Sequence, residues 1–270
     1  MTIVTLRMFL ISIYEIFSKE MDVIERKTSL EKVLAILNLF SEDKLTWTAD
    51  EVVAATGYSR PALYRYVKIM KDAGLLVADS RFGLTLGPRI VELDYLLRRS
   101  DPLMVHGVPE IDSLAKCCPG NALLVRWYGS KILCVYSAHS SEGINTSYHR
   151  GRPMPLARGA IGRSILAYLP KARLAKLVKS RVDEFAAVGF GTTENEILSN
   201  FSRIRSAGFA VAYGEVTPGV VGIAAPVLDA KRSPVASVCV TVLGSQLDAG
   251  QIEEISERVR QSAHNIHIRY

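Results

Sequence analysis

Residues that carry chemistry are scarce in this 270-residue chain. Its four cysteines, Cys117, Cys118, Cys134 and Cys239, show no C-x-x-C spacing and no paired histidines nearby, which argues against a structural zinc site. Cys134 and Cys239 lie in apolar, strand-like runs and read as small core residues. Reduced thiols fit a cytoplasmic protein. The five histidines are scattered, and only His264 and His267 fall at a spacing that shares a helix face. There is no G-x-S-x-G elbow, Walker-type loop or H-E-x-x-H, so no enzyme, metal or cofactor is expected. The glycines of G-A-I-G-R-S at Gly159–Ser164 stand near a helix start but lack the lysine and spacing of a phosphate loop. An aromatic RNA-recognition stretch is also missing. The apolar run Met1–Phe17 is short, is interrupted by Arg7 and Glu15 and has no cleavage site after it, so neither a leader nor a membrane span is expected. It reads either as an additional amphipathic helix or as the product of an upstream start codon, with Met21 as the biological start. Internal repeats and low-complexity tracts are absent.

What is present is ample core material, 49% hydrophobic residues, enough for two domains. The net charge of +6 and pI near 9.1 permit a polyanionic partner without requiring one. Residues 57–89 hold six Lys/Arg against two Asp/Glu, whereas residues 21–99 hold twelve against eleven. The cationic footprint is therefore a narrow face, not a basic domain.

That face belongs to Thr48–Leu86. Thr48 and Glu51 make a T-x-x-E capping box that opens a short helix, and Gly57 can stop it at positive φ. Ser59 can cap the next helix, with Pro61 in its first turn. Leu63, Val67 and Met70 then share one buried side. Ser59, Arg60, Tyr64, Arg65 and Lys68 fall elsewhere and face outward. Gly74 ends the helix, and Leu75–Asp79 and Phe82–Leu86 pair as a hairpin with Arg81 near its tip. A helix with outward Arg and Lys is commonly just solvated. The complete order of helix, turn, helix and hairpin is the plan of a winged helix-turn-helix, in which Arg reads guanine edges and Lys holds phosphates.

Before this segment, Ser29–Phe40 predicts a helix with Leu30, Val33, Leu34, Leu37 and Phe40 as its apolar stripe, packed behind the second helix. After it, Gly87-Pro88 opens a helix to Arg99 with Ile90, Leu93 and Leu97 as its stripe, a linker that also suits contacts between two copies. Asp101 is a candidate cap where a second domain begins. There Asn121–Trp127 and Lys131–Ser137 read as a hairpin over Gly129-Ser130, and Ile144–Tyr148 as a further strand. Gly159–Leu169 and Lys171–Val182 read as helices. Thr193 and Glu196 form a second capping box for a helix closed by Gly208. Phe209–Tyr213, Val220–Val227 and Val235–Leu243 read as strands, and a closing helix carries Ile252, Ile255 and Val259.

Over about residues 28–268 the chain resembles the IclR family of bacterial transcriptional regulators. The resemblance rests on S-L-E-K-V-L-A-I-L-N-L-F at Ser29–Phe40, the Ser59–Leu76 helix and F-G-L-T-L-G-P-R-I-V-E-L at Phe82–Leu93. In the second half it rests on R-G-R-P-M-P-L-A-R-G-A-I-G-R-S-I-L-A at Arg150–Ala167, G-F-A-V-A-Y-G-E-V-T-P-G-V-V-G-I-A-A-P-V-L-D at Gly208–Asp229, and P-V-A-S-V at Pro234–Val238. It implies an α+β fold: a winged helix-turn-helix over residues 21–87 after an extension at 1–20, a linker helix over 88–100, and a GAF-like α/β effector-binding and oligomerisation domain over 101–270 with a largely antiparallel sheet. It also implies a dimer or dimer of dimers. Family members that sense small keto acids place effector contacts at positions matching Arg158, Gly159, Ala160 and Ile161. They add an acidic residue at Ala212, a cysteine at Gly222 and serines at Cys239 and Thr241. Met154 joins this candidate lining.

Ala212 lacks the carboxylate, Gly222 lacks the thiol, and only Thr241 keeps a hydroxyl. These changes predict a larger, less polar pocket, suited to an aromatic or other larger organic acid held by Arg158 or by backbone N–H groups near Ala160. The expected function is a ligand-responsive, sequence-specific regulator of a catabolic operon. Its expected partners are double-stranded DNA with a palindromic operator, a small organic acid and a second copy of itself. The DNA-contacting set is Thr48, Ser59, Arg60, Pro61, Tyr64, Arg65, Lys68 and Arg81. The alternative is a ligand-independent architectural nucleic-acid-binding protein, against which the large second domain argues.

Overall fold

A computed structural model of the chain describes residues 28–79, 83–140 and 148–267. The expectations for Met1–Phe17, for Arg81 and for most of the strand Ile144–Tyr148 lie outside the described residues. Two compact units divide between Leu97 and Arg98, and each is taken by itself.

In the first unit, α1 (Ser29–Leu37) is opened by Thr28, whose hydroxyl accepts from Glu31 N–H while the Glu31 carboxylate accepts from Thr28 N–H. Its buried side differs from the expected stripe. Ile36 is fully buried and Val33, Leu37 and Phe40 are partly covered, but Leu30 and Leu34 are exposed. The face turned toward Leu63, Tyr66 and Met70 follows the 33, 36, 37, 40 spacing, which leaves Leu30 and Leu34 to one side. Helix α2 (Ala49–Thr56) has the Thr48–Glu51 capping box and ends on Gly57 at φ 70°. Helix α3 (Arg60–Asp72) buries Leu63, Tyr66, Val67 and Met70. Strands β1 (Leu76–Asp79) and β2 (Gly83–Leu86) pair antiparallel, and Trp47 exchanges backbone hydrogen bonds with Leu84 along the other edge of β2. A Cβ on Gly83 would stand 2.7 Å from the Trp47 carbonyl oxygen, so this edge contact depends on glycine. Helix α4 (Pro88–Ser100) buries no residue; Leu93 and Leu97 of its predicted stripe are exposed.

The second unit starts with α5 (Pro102–Cys117), which periodicity had not singled out because Gly107 and Pro109 interrupt it. Asp101 caps it by accepting from Leu103 N–H and is also paired with Arg126 at 2.6 Å. Gly107 has its place because Leu124 packs where a Cβ would stand, 2.5 Å away. Pro109 lies on the exposed side, where the carbonyl it deprives of a partner can reach water.

Strands β3 (Asn121–Trp127), β4 (Ile132–His139), β5 (Pro153–Met154), β6 (Ala210–Tyr213), β7 (Val220–Leu228) and β8 (Pro234–Leu243) form an antiparallel sheet of order β5-β4-β3-β8-β7-β6. Tyr148, the described end of the expected strand Ile144–Tyr148, is not in a strand. The period-two alternation separates the two cores. Leu124, Val238, Val240 and Ile223 pack under α5 and α10 (Ala249–His267), whereas Leu123, Val125, Ala224 and Cys239 pack under α6 (Gly159–Leu166). Behind α6 stand α7 (Lys171–Lys179), α8 (Val182–Ala186) and α9 (Glu194–Ala207), gathered around Phe185, Phe190 and Phe201. The expected second capping box is displaced by one residue. Thr193 does accept from Glu196 N–H, but the Glu196 carboxylate bonds to the N–H and hydroxyl of Thr192.

Gly162 holds α6 against the preceding loop. A Cβ there would lie 2.2 Å from the Leu156 carbonyl oxygen. Gly162→Ala, which in an exposed helix would stabilise by about 1 kcal/mol, is expected here to destabilise by about 2 kcal/mol, read as a lower urea midpoint with an unchanged slope.

Candidate functional site

Two sites emerge, one in each unit. In the first, the outward side of α3 presents Arg60, Pro61, Tyr64, Arg65 and Lys68, with Ser59 immediately before it, and all six are exposed. Ser59 occupies the N-cap position but makes no side-chain capping bond, contrary to the sequence expectation, so its hydroxyl is uncommitted. Thr48 is committed, its hydroxyl shared between Glu51 N–H and the Glu51 carboxylate. The carboxylate is held down to about 2 by hydrogen bonds from Lys44 and Thr48. Arg60 is paired with Asp50 of α2 at 2.6 Å, an exposed bridge that a competing anion can open cheaply. Arg65 lies 5.3 Å from the Tyr66 ring centre and, with Ser29, holds that phenol below its ordinary value. The face is thus cationic, aromatic and built on a buried framework. Arg81, expected beside it, lies outside the described residues.

In the second unit the sheet and the start of α6 enclose a cavity. All nine residues expected there line it: Met154, Arg158, Gly159, Ala160, Ile161, Ala212, Gly222, Cys239 and Thr241. The strand register explains the convergence. Ala212 pairs with Gly222 and Gly222 with Thr241, forming one lateral row, while Cys239 lies in the next row opposite Ala224. Ala160 sits over this row, 3.6 Å from where a Gly222 Cβ would be. The cavity is narrower than Ala212 and Gly222 suggest. Its empty space is about 410 Å³ out to the mouth, but the centres of water molecules fit into only about 30 Å³, room for about two waters. Tyr148 and Val216 help to close it, and the space freed at Gly222 faces Ala160 instead of open volume.

Sequence reasoning missed the polar fixture at the cavity's end. Glu215, in the turn between β6 and β7, accepts from Gly159 N–H at 2.9 Å and from Arg163 at 2.7 and 2.8 Å. Both side chains are nearly buried, 6% exposed for Arg163 and 11% for Glu215. Burial pulls the Arg163 guanidinium below its ordinary value, and Glu215 pulls it back up. The guanidinium also lies 4.0 Å from the Phe190 ring centre. The one signal for this pair was an arginine inside the apolar G-A-I-G-R-S-I-L run. Tyr148, Thr217 and Val220 were missed too, because they reach the cavity only through the loop and strand geometry. Burial raises the Tyr148 phenol despite a hydrogen bond with Thr217.

The polar groups left for an occupant are few. Among the described residues no hydrogen bond reaches the N–H of Ala160 or Ile161, and both residues are buried. Such N–H groups at a helix start face an oxygen acceptor, preferably an anion. Arg158 stands exposed at the rim. Burial pushes the Cys239 thiol up to about 12, so it is a protonated wall, not a nucleophile. Among the described residues no group of His, Cys, Asp or Glu is placed to hold a metal ion.

The comparisons with known proteins match both units. The bacterial transcriptional regulator IclR C-terminal model matches residues 108–268, and the IclR helix-turn-helix domain model matches residues 29–80. Among curated proteins, the HTH-type transcriptional regulator KipR of Bacillus subtilis is 24% identical over 88% of this chain and 95% of its own. Among solved structures, an IclR regulator from Alicyclobacillus acidocaldarius superposes with a TM-score of 0.76, at 20% identity over 89% of this chain and 97% of its own. An IclR homologue from Microbacterium hydrocarbonoxydans complexed with 4-hydroxybenzoate gives 0.71, at 20% identity over 89% and 98%.

The buried pair makes an asymmetric prediction. Glu215→Ala strands the Arg163 charge and is expected to cost about 3 kcal/mol of unfolding free energy. The double variant Glu215→Leu, Arg163→Met removes both charges and should recover most of that loss. Urea unfolding of the two variants measures the difference, and equal losses would show that the charge is not what the pair contributes.

Proposed function

We propose a function from one premise: the chain belongs to the IclR family of bacterial transcriptional regulators. It is a DNA-binding transcription regulator with a winged helix-turn-helix and an effector-binding domain. Regulators of this family bind DNA and respond to small molecules.

The finer reading is that α3 enters the major groove. Arg60 and Arg65 take base edges or phosphates, Lys68 and the Ser59 hydroxyl take phosphates, and Tyr64 lies flat against the groove wall. Thr48 serves indirectly by fixing the start of α2, and Pro61 by fixing the first turn of α3. Asp50 neutralises Arg60 until a phosphate replaces it. Two copies reading a palindrome place two such helices at fixed spacing, and α4, which exposes Val91, Leu93 and Leu96 among the described residues, is the proposed place where they meet. Arg81 at the wing tip adds a backbone contact.

For the effector, the observation that carries the reading is the pair of unengaged, buried N–H groups of Ala160 and Ile161 at the head of a mostly apolar cavity. We propose an organic acid, its carboxylate taken by these donors and by Arg158, its apolar body against Met154, Val216 and Val220. The Microbacterium relative's 4-hydroxybenzoate is a ligand of this chemistry. The Glu215–Arg163 pair cancels its own charge, which leaves Arg158 as the cation a carboxylate meets. Because the cavity holds about two waters, an aromatic acid must displace the Tyr148 or Val216 side on entry. The protein works in the cytoplasm, where DNA and metabolite meet.

Three outcomes test this. Arg65→Ala is expected to weaken binding to an operator, recovered by selection with the purified protein, about tenfold or more while leaving ligand binding intact. Lys68→Ala should weaken binding to all sequences and lower the salt dependence of affinity by about one unit. In thermal-shift measurements benzoate-type acids are expected to stabilise the protein and Gly222→Leu to abolish that response. Stabilisation by glyoxylate or pyruvate but by no aromatic acid would overturn the ligand reading.

A further inference from the structure

A second concavity lies in the same unit, between α10 and the far end of β7. It encloses about 840 Å³ out to its open side, against about 410 Å³ for the cavity under α6, and shares no residue with that cavity. Its floor is made of small or flat groups, Gly208, Ala225 and Pro226, because β6 pairs with β7 only as far as Ala224 and leaves the rest of that edge uncovered. Its walls are polar and cationic: Arg232 from the β7–β8 turn, and Arg260, His264 and His267 from α10.

The charge balance favours an anion. The acidic residue in the lining is Glu257, 3.2 Å from Arg260 in an exposed i,i+3 pair that solvent screens. Asp229, in the same turn as Arg232, directs one carboxylate oxygen to the N–H groups of Lys231 and Ser233. The Arg232 side chain has no partner among the described residues. Tyr168, another lining residue, has Arg205 5.4 Å from its ring centre. His267 donates from Nδ1 to the Leu228 carbonyl at 2.6 Å, which fixes its tautomer.

Arg232 carries a further mark. It is the one described non-glycine residue at positive φ, 61°, a conformation a turn normally gives to glycine. Gly208, also in the lining, takes positive φ as well. A backbone strain kept at a residue whose side chain overlooks a cationic groove is a device for holding that side chain in place.

We propose that this groove is a second ligand site, separate from the effector cavity, that binds a small oxyanion-bearing metabolite between Arg232 and Arg260. Guanidinium groups hold phosphate or carboxylate in two-point contacts, and the concavity has the size of a small-molecule site. The regulator then takes two chemical inputs, one at each end of the sheet's β6–β7 side.

Pyrophosphate and citrate, titrated into the full-length protein and followed by calorimetry, are the probes. The expected result is saturable binding of at least one, with both binding if the site takes any oxyanion and one binding if it selects phosphate or carboxylate. Arg232→Gly is the decisive variant, because glycine suits φ 61° and the fold is expected to melt at the same or a higher temperature while affinity falls about tenfold. Arg260→Met should weaken binding similarly. Arg158→Ala in the effector cavity and Lys68→Ala on α3 should leave it unchanged. The proposal fails if neither probe saturates, if Arg232→Gly binds as well as the parent, or if binding is lost in either of the last two variants instead.

Discussion

The effector half of the molecule depends on one interaction, the buried carboxylate of Glu215 shared between Gly159 N–H and Arg163. It ties the turn between β6 and β7 to the first residue of α6 and so sets how far that helix start stands from the sheet. The consequence is a division of labour among the helix's orphan donors. The first is satisfied from within the chain; the next two belong to Ala160 and Ile161, which line the cavity and whose N–H groups have no hydrogen bond among the described residues. A free helix start would bind water or any anion indiscriminately. One whose first donor is occupied by a fixed carboxylate admits a second carboxylate only where Arg158 and the remaining N–H groups outweigh the repulsion. The absence of an acidic side chain at Ala212 acts in the same direction, since it removes a like charge from the row beneath.

How far the sequence exposes this differs between the units. The caps at Thr48 and Asp101 were legible because a local side-chain oxygen and the backbone that follows it carry the whole signal, whereas Ser59 has the same local signal and makes no capping bond. The cavity lining was reachable through the family resemblance alone, and the strand register of β6, β7 and β8 is what brings Ala212, Gly222, Cys239 and Thr241 together. The Glu215–Arg163 pair was not legible: its members are 52 residues apart and meet only through tertiary structure. Helix α5 was hidden for a different reason. Gly107 and Pro109 are local breakers, and what keeps the helix is close packing on Leu124 and an exposed side where proline's missing N–H does little harm. Leu30 and Leu34 show the converse failure, since an apolar residue at helical spacing is only an offer of burial, and α1 accepts the offer at Ile36 instead.

The same point makes α4 informative. Thirteen residues with apolar Val91, Leu93, Tyr95, Leu96 and Leu97 exposed are poorly explained as a monomer's surface. A helix of that length is marginal alone in water, and most helical stability comes from a buried face. The proposed contact with a second copy would account for both the composition and the persistence of the helix.

On the proposed reading, ligand response follows from the narrowness of the cavity, not despite it. A ligand shifts an equilibrium only by the difference in its affinity for two states. A roomy, preformed pocket would bind an aromatic acid equally well in every arrangement of the dimer and transmit nothing. A narrow cavity would require the proposed acid to bind a state in which the wall has moved, and its binding energy in that state would then be differential. Moving a two-state population from one extreme to the other takes about 5.5 kcal/mol, within reach of a micromolar ligand whose carboxylate finds two buried N–H groups and whose ring buries apolar surface. On that reading the small residues Ala212 and Gly222 are what would let an opened cavity accommodate a ring.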